Sequence, residues 1–417
     1  MIESIGIKNY KSIVDLQFDV GRVNIFIGEN GSGKSNILEA IALASAAEAD
    51  KLDNEFLANR GIRVTSPLSM MSTFEPVPAQ VIEITIKFDA KEKTYQLEND
   101  GRPYSKWTCR IEPEAIEQSA QNDELAKNKN NESADSAVDT LQKSISDLLE
   151  LNSGEKPSLS DLSKLLSQEI RDESYAHVGT LFDLIWSKLR EEKNRIPIAN
   201  IIIYSPEETA LRNLYREGQI EPLGIHGEGL LKLIKVLDKY DSDIPLETIK
   251  ESLSALGWFE DIDISSSNSI DEEERISIFD RFTQSWFDQR SANEGFLFVL
   301  FYAALMVSQD TPSIFAIDNV DASLNPKLCT KIVGDIVKLA KKFDKQCFLT
   351  AHNPAVLDAI DLEDDDQRLF VVSRNRKGHT LVKRIGLESK PVSSTGEELK
   401  LSEAFLRGYL GGLPKNF

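Results

Sequence analysis

Over the first hundred residues, apolar and polar positions alternate in short runs. Ile5–Lys8, Ile13–Phe18 and Val23–Ile27 read as strands, and Val81–Phe88 with Lys93–Leu97 alternate as a half-exposed sheet does. Leu52–Pro78 carries three prolines and little period, so a loop is expected there. Between Glu112 and Asn131 the bulky apolar residues give way to Glu, Gln, Asn and Lys, the composition of a polar loop. Apolar residues then return at helical spacing: Leu141, Ile145, Leu148 and Leu149, followed by Leu159, Leu162, Leu165, Leu166 and Ile170. The break at Ser153–Pro157 predicts a helical hairpin, with a third helix running through Leu189. Ile198–Tyr204 restores a strand, Pro222–Gly229 reads as a simple turn opening a helix, and Phe296–Val307 is apolar on every side, as a buried helix is. Two further buried strands, Pro312–Ile317 and Gln346–Ala351, flank an amphipathic helix, and a short amphipathic helix begins at Leu401.

The pattern gives an α/β fold in four segments: 1–110, a helical insertion with its polar loop over 111–199, a return to the sheet over 200–390, and a tail over 391–417. Two roles stay open for the insertion, a partner-binding arm or a cap over the sheet. Its breaks argue against a long coiled coil.

One turn has chemistry written into it. Gly28-Glu29-Asn30-Gly31-Ser32-Gly33-Lys34-Ser35 fits GxxxxGK[ST], preceded by the strand Arg22–Ile27 and followed by a helix from Asn36. Glycines let backbone amides converge on phosphate oxygens at a helix N-terminus, where the dipole favours an anion. Lys34 adds a cation, and the Ser35 hydroxyl suits Mg²⁺. The chain is expected to bind a nucleoside triphosphate, ATP with Mg²⁺. Asp318, which ends the apolar strand Pro312–Ile317, is the acid expected to hold that metal with Ser35, and His352 at the tip of the next strand is placed to meet the γ-phosphate.

Charge narrows the partners. With 48 basic against 68 acidic residues the net charge is −20, so any nucleic-acid contact needs a local basic surface or a second protein. The helix after Asp318 offers such a surface, with Lys327, Lys331, Lys338 and Lys342 at helical spacing and Lys341 and Lys345 nearby, against Asp335 and Asp344. Cys109, Cys329 and Cys347 have no metal-binding spacing and fit a reducing compartment; with a strand at the first residues and no membrane-length apolar run, a cytoplasmic location is expected. Asp361–Asp366 reads as a solvated acidic loop.

The order of these motifs resembles the ABC-type ATPase heads of the SMC and RecF group, and most closely the RecF-like ATPases of bacterial defence systems. Ile5–Ile13 is similar to their opening strand, with Lys11 at a position that is basic in that group. Ile317–Pro326 resembles their metal-acid segment, with Asn325 at the D-loop position, and Leu349–Pro354 resembles their switch-histidine segment. Ser291–Phe296 stands where the group has its signature motif, making Asn293, Glu294 and Gly295 candidates to touch the γ-phosphate bound by a partner. Gln80 is the candidate for the Q-loop. The resemblance implies a two-lobed head that dimerises face to face, each ATP sandwiched between one phosphate loop and the other signature segment. Asn319 departs from it: the group has a glutamate general base there, and an amide orients water without taking its proton. Either hydrolysis is slow, the reading favoured here, or Asp321 substitutes.

The segments Asn319–Leu328, Asp365–Val372 and Leu401–Pro414 resemble the ATPase subunit of Septu-type systems, including retron-associated ones, which implies a separate HNH-type nuclease. With 417 as the last residue after His352, no Toprim nuclease domain is expected within these residues. The expected function is an ATP-binding ATPase subunit that regulates a nuclease effector in antiphage defence. A RecF-like repair ATPase that clamps DNA and a nucleotide sensor without significant hydrolysis remain as alternatives.

Overall fold

The computed structural model describes residues 1–74, 81–101, 106–113, 197–212, 221–239, 243–264, 276–389 and 399–412. The chain divides into one compact unit made of Met1–Glu114 with Ile196–Phe417, and a second, Ala115–Arg195. The second unit, with the predicted helices of residues 141–189, lies outside the described residues, and so does Gln80.

The first unit contains strands β1 (Ile2–Tyr10), β2 (Ile13–Asp19), β3 (Val23–Ile27), β4 (Val81–Phe88), β5 (Lys91–Glu98), β6 (Thr108–Pro113), β7 (Ile203–Tyr204), β8 (Phe259–Asp263), β9 (Ser277–Asp280), β10 (Ser285–Asp288), β11 (Ile314–Ile317), β12 (Gln346–Ala351), β13 (Gln367–Arg374) and β14 (Thr380–Ile385). They make three sheets: five strands in the order β2-β1-β4-β5-β6, three in the order β10-β9-β8, and six in the order β14-β13-β3-β12-β11-β7. The five-stranded sheet is antiparallel throughout. In the six-stranded sheet β3 runs parallel to both β12 and β13, β11 runs parallel to β12 and β7, and only β14 is antiparallel. This is the mixed α/β P-loop head expected from the sequence.

Parallel strands covered on both faces read as continuous apolar runs, which is why β3, β11 and β12 are buried at every position. The register sets Ile27 opposite Ala351 and Val371, and Ile317 opposite Leu349. The loops after β3, β11, β12 and β13 therefore leave the sheet at one edge, the carboxyl edge where open α/β sheets bind ligands. Helix α1 (Lys34–Glu48) starts at that edge and buries Ile37, Leu38 and Ile41. Helix α2 (Glu294–Val307) is buried from Phe296 to Val307 and is capped by Asn293, whose side chain accepts from the amide of Phe296. Helix α3 (Pro326–Lys342) is capped by Asn325 in the same way, with proline at its first turn.

Three expectations change. The strand expected over Ile198–Tyr204 is a 3₁₀ turn, Pro197–Asn200, followed by the two-residue β7. Proline opens that turn, and the next amide, of Ile201, goes to the Ser45 hydroxyl on α1 at 2.9 Å instead of to a ladder. The Leu52–Pro78 loop contains two short helices, Asn54–Asn59 and Pro67–Met70, the first capped by Asp53 and the second carrying proline in its first turn. Lys345 is not part of a basic surface: it is 4% exposed, and its ammonium donates to the carbonyls of Ser308, Thr311 and Pro312 and to the Thr311 hydroxyl at 2.7 to 3.2 Å. Of these, the Ser308 carbonyl stands at the C-terminal end of α2, where a cation complements the helix dipole, while burial pushes the lysine's pKa down to about 8. The tail helix α4 (Leu401–Leu406) packs on its own unit, with Leu401, Ala404, Phe405 and Leu410 in the core.

Of the remaining helix lysines, Lys331 pairs with Asp335 at 2.9 Å and Lys342 donates to the Thr248 hydroxyl at 3.1 Å. Lys338 and Lys341 share a cleft with Asp364 and Asp366, so the face is mixed in charge. No helix among the described residues is long and apolar enough to cross a membrane.

Candidate nucleotide site

At the carboxyl edge of β3 the chain turns through Gly28–Gly33 into α1. The Gly28 α-carbon faces the Val372 carbonyl so closely that a β-carbon would sit 2.0 Å from that oxygen; any side chain would push the turn off the sheet. Gly33 caps the helix in the left-handed region, φ 108°, against Thr380. The turn is tied down from β14, because Thr380 donates from its hydroxyl to the Ser32 carbonyl at 2.9 Å. Ser12 lies 2.7 Å from the same hydroxyl and accepts from the Asn36 amide at 2.7 Å. From β13, Arg374 donates to the Gly31 carbonyl at 2.7 Å.

An open cleft of about 420 Å³ lies over this turn, lined by Asn30, Gly31, Gly33, Lys34, Ser35 and Asn36 from the loop and by Asp318, Asn319 and His352 from the neighbouring strands. Thus most of the loop residues singled out in the sequence meet the three expected from β11 and β12. Gly28, Glu29 and Ser32 support the turn from beneath. Glu29 donates its amide to the Gly412 carbonyl of the tail at 3.1 Å. Asn293, Glu294 and Gly295 do not line this cleft.

The Lys34 ammonium donates to the carbonyls of Gly28 and Glu29 at 2.8 and 3.0 Å and lies 3.4 Å from His352 Nδ1. Burial lowers its pKa, opposed by Asp318, Asp321 and Glu29. Burial and then the Lys34 charge lower that of His352, so the imidazole is neutral at pH 7, with Nδ1 facing the ammonium as acceptor.

Ser35 Oγ donates to both carboxylate oxygens of Asp318, at 3.1 and 2.9 Å. Thr350 on β12 donates to the same carboxylate and accepts from the Asn319 amide at 2.9 Å, which fixes the segment after β11. A hydroxyl and a carboxylate this close are hard oxygen donors suited to Mg²⁺. Among the described residues no group of three or more His, Cys, Asp or Glu could hold a metal. Two protein donors with the rest left to water and phosphate is the usual way Mg²⁺ is held beside a nucleotide, so the residues fit the ion.

Asn319 sits at φ 58°. Asparagine tolerates this left-handed conformation better than most residues, glutamate among them. Asp321 does fold back toward the site, but its Oδ2 accepts from the amides of His352 and Asn353 at 3.0 and 2.6 Å. That oxygen holds the segment after β12, while Oδ1 is buried with no hydrogen-bond partner among the described residues. Thr350, Arg374, Ser12 and Thr380 were not singled out by sequence reasoning. Only Thr350 left a signal, a polar residue in a buried run two positions before His352.

Short stretches of the chain resemble known proteins. A stretch of 49 residues is 47% identical to an uncharacterized protein of Methanocaldococcus jannaschii, covering 12% of this chain and 22% of that one. Another, of 56 residues, is 39% identical to the DNA replication and repair protein RecF of Bacillus pumilus, covering 13% of this chain and 15% of RecF. The chain therefore matches less than a quarter of the length of these relatives. Among solved structures, an SMC head bound to the C-terminal winged-helix domain of ScpA matches at 14% identity with a TM-score of 0.49, over 93% of this chain and 98% of that one. The SMC head domain from Thermotoga maritima gives 14% identity and a TM-score of 0.43, over 93% and 99%. The profile of the family described as "AAA domain, putative AbiEii toxin, Type IV TA system" matches residues 23–358, from the strand before the phosphate loop to the segment beyond His352, and the chain belongs to this family of AAA ATPase domains.

Proposed function

We propose that this chain is a Mg²⁺-dependent ATP-binding ATPase that pairs head to head with a second copy and thereby regulates a separate nuclease in antiphage defence. The observation that carries the reading is the hydrogen-bonded Ser35–Asp318 pair beside Lys34, one cleft holding a metal site and a phosphate site together. In it Lys34 and the loop amides bind the triphosphate, and neutral His352 stands by the position of the γ-phosphate. Mg²⁺ supplies charge neutralisation of the phosphates when bound.

Hydrolysis is slow in this reading, because Asn319 orients water without accepting its proton and Asp321 is held by two amides. Pairing is supported by the exposure of Asn293 at the head of α2, away from its own chain's cleft. ATP that touches two heads favours the closed pair by its differential affinity. The toxin and toxin–antitoxin wording of the family description supports a defence role. The short RecF matches keep a DNA-clamping repair role as the second reading.

The test is light scattering of the purified chain with ATP and Mg²⁺, alongside the proteins that co-purify from native cells. ATP-dependent doubling of mass with a nuclease among the companions supports the proposal. A monomer that ignores ATP removes it, and ATP-dependent binding to DNA without a nuclease companion favours repair.

A further inference from the structure

Glu39 lies one helical turn beyond Ser35 on α1 and is 2% exposed. A carboxylate at that depth is costly unless cations and donors surround it, and an apolar residue would fill the same place at less cost. Three side chains from two parts of the chain are its partners: the Tyr10 hydroxyl at 3.0 Å and the Lys11 ammonium at the end of β1, and the Arg63 Nε. Burial, and next the Glu39 charge, raise the Tyr10 pKa well above its usual value, so the phenol keeps the proton it donates.

The two cations differ. Lys11 is 14% exposed in its side chain and sits in the left-handed region at φ 47°, its amide bonded to the Met70 carbonyl. Arg63 is 63% exposed in its side chain and stands on the wall of the phosphate cleft. Its Nη2 donates to Asn36 Oδ1 at 3.2 Å, and Asn36 follows the metal-site serine. Contacts at Nε and Nη2 fix the plane of a guanidinium, and no hydrogen bond from Nη1 occurs among the described residues. Lys11 compensates Glu39 from the buried side, so the carboxylate is free to orient Arg63 on the open side.

We infer that Glu39 is a positioning residue, holding the Arg63 guanidinium on the cleft wall so that the triphosphate meets an oriented cation. The inference rests on the ATP-binding reading above. Preorganisation of this kind removes the rotamer cost that a long exposed side chain would otherwise meet on binding.

The experiment measures ATP affinity by calorimetry, with melting temperatures, for the full chain and for Lys34→Ala, Glu39→Gln, Arg63→Gln, Arg63→Lys and the double variant Glu39→Gln/Arg63→Gln. Expected are losses of about tenfold for Glu39→Gln and for Arg63→Gln, the double variant binding no worse than Arg63→Gln alone. Arg63→Gln should melt as the parent does, and Arg63→Lys should bind as weakly as Arg63→Gln because an ammonium has no plane to fix. Parent-like affinity in Glu39→Gln, or losses that add in the double variant, overturn the inference. If Glu39→Gln does not fold, parent-like affinity in Arg63→Lys overturns it instead. Equal ATP binding by the parent and Lys34→Ala is a different result: it removes the nucleotide site itself, and this inference with it.

Discussion

The two segments that the sequence sets against a nucleotide, Gly28–Asn36 and Ser291–Gly295, are built in opposite ways. The first is held from four directions: by Thr380 and Arg374 across the sheet, by Ser12 from the antiparallel lobe, and by Gly412 from the tail. The second begins a helix: Ala292 anchors it in the core, Asn293 caps Phe296, and Ser291 and Asn293 are exposed. A β-carbon on Gly28 or Gly33 would collide with neighbours at 2.0 and 2.2 Å, while one on Gly295 would meet nothing nearer than Asn293 at 3.5 Å. A segment that works inside its own chain is shaped by that chain. One whose ligand comes from outside shows only a surface, which is the physical content of the head-to-head proposal.

The largest expected effect breaks the first segment. Lys34→Ala removes the cation of the phosphate loop and should weaken ATP binding at least about a hundredfold by calorimetry, since charge-assisted contacts to phosphate are the strong ones. Retained affinity would mean that the loop amides suffice. Asn319→Glu comes next: supplying a general base should raise single-turnover hydrolysis by about a hundredfold. The same change places glutamate at φ 58°, so the variant should also melt a few degrees lower. An unchanged rate would place the slow step elsewhere.

Gly295→Ala sharpens the comparison from the other side. The added methyl has room, and alanine favours a helix over glycine by about 1 kcal/mol, so the fold should hold or gain. ATP-dependent pairing, measured by light scattering, should weaken about tenfold if a phosphate of the partner approaches this backbone. Full pairing would take Gly295 out of the interface. The smallest effect concerns pH. A histidine whose folded pKa lies below its unfolded value binds its proton more readily when unfolded, so stability rises with pH between the two values. The increment from His352 is complete above about pH 6.5 and lost as pH falls through the depressed folded value. His352→Gln should remove that increment from a pH series of melting curves.

How far the sequence disclosed this molecule follows from the range of each interaction. The phosphate loop, Asp318 and His352 were legible because strand, turn and helix signals are local and the glycine spacing is strict. Buried runs such as Phe296–Val307 were legible by composition. The supports were not: Thr350 reaches Asp318 only through the parallel register of β11 with β12, and Arg374 reaches Gly31 only through that of β3 with β13. Lys345 misled because periodicity along a helix says nothing about where the chain bends after it. The small sheet β8–β10 went unrecognised, since its four- and five-residue strands carry too few alternations to stand out.

The bond between the Glu29 amide and the Gly412 carbonyl has a practical corollary. Residues 401–412 form part of the floor beneath the phosphate turn, with Phe405 and Val371 pressed against Gly412 and the Gly28 α-carbon close behind. Trimming the chain before Leu401, or grafting a reporter close behind Gly412, would disturb the triphosphate cradle from below.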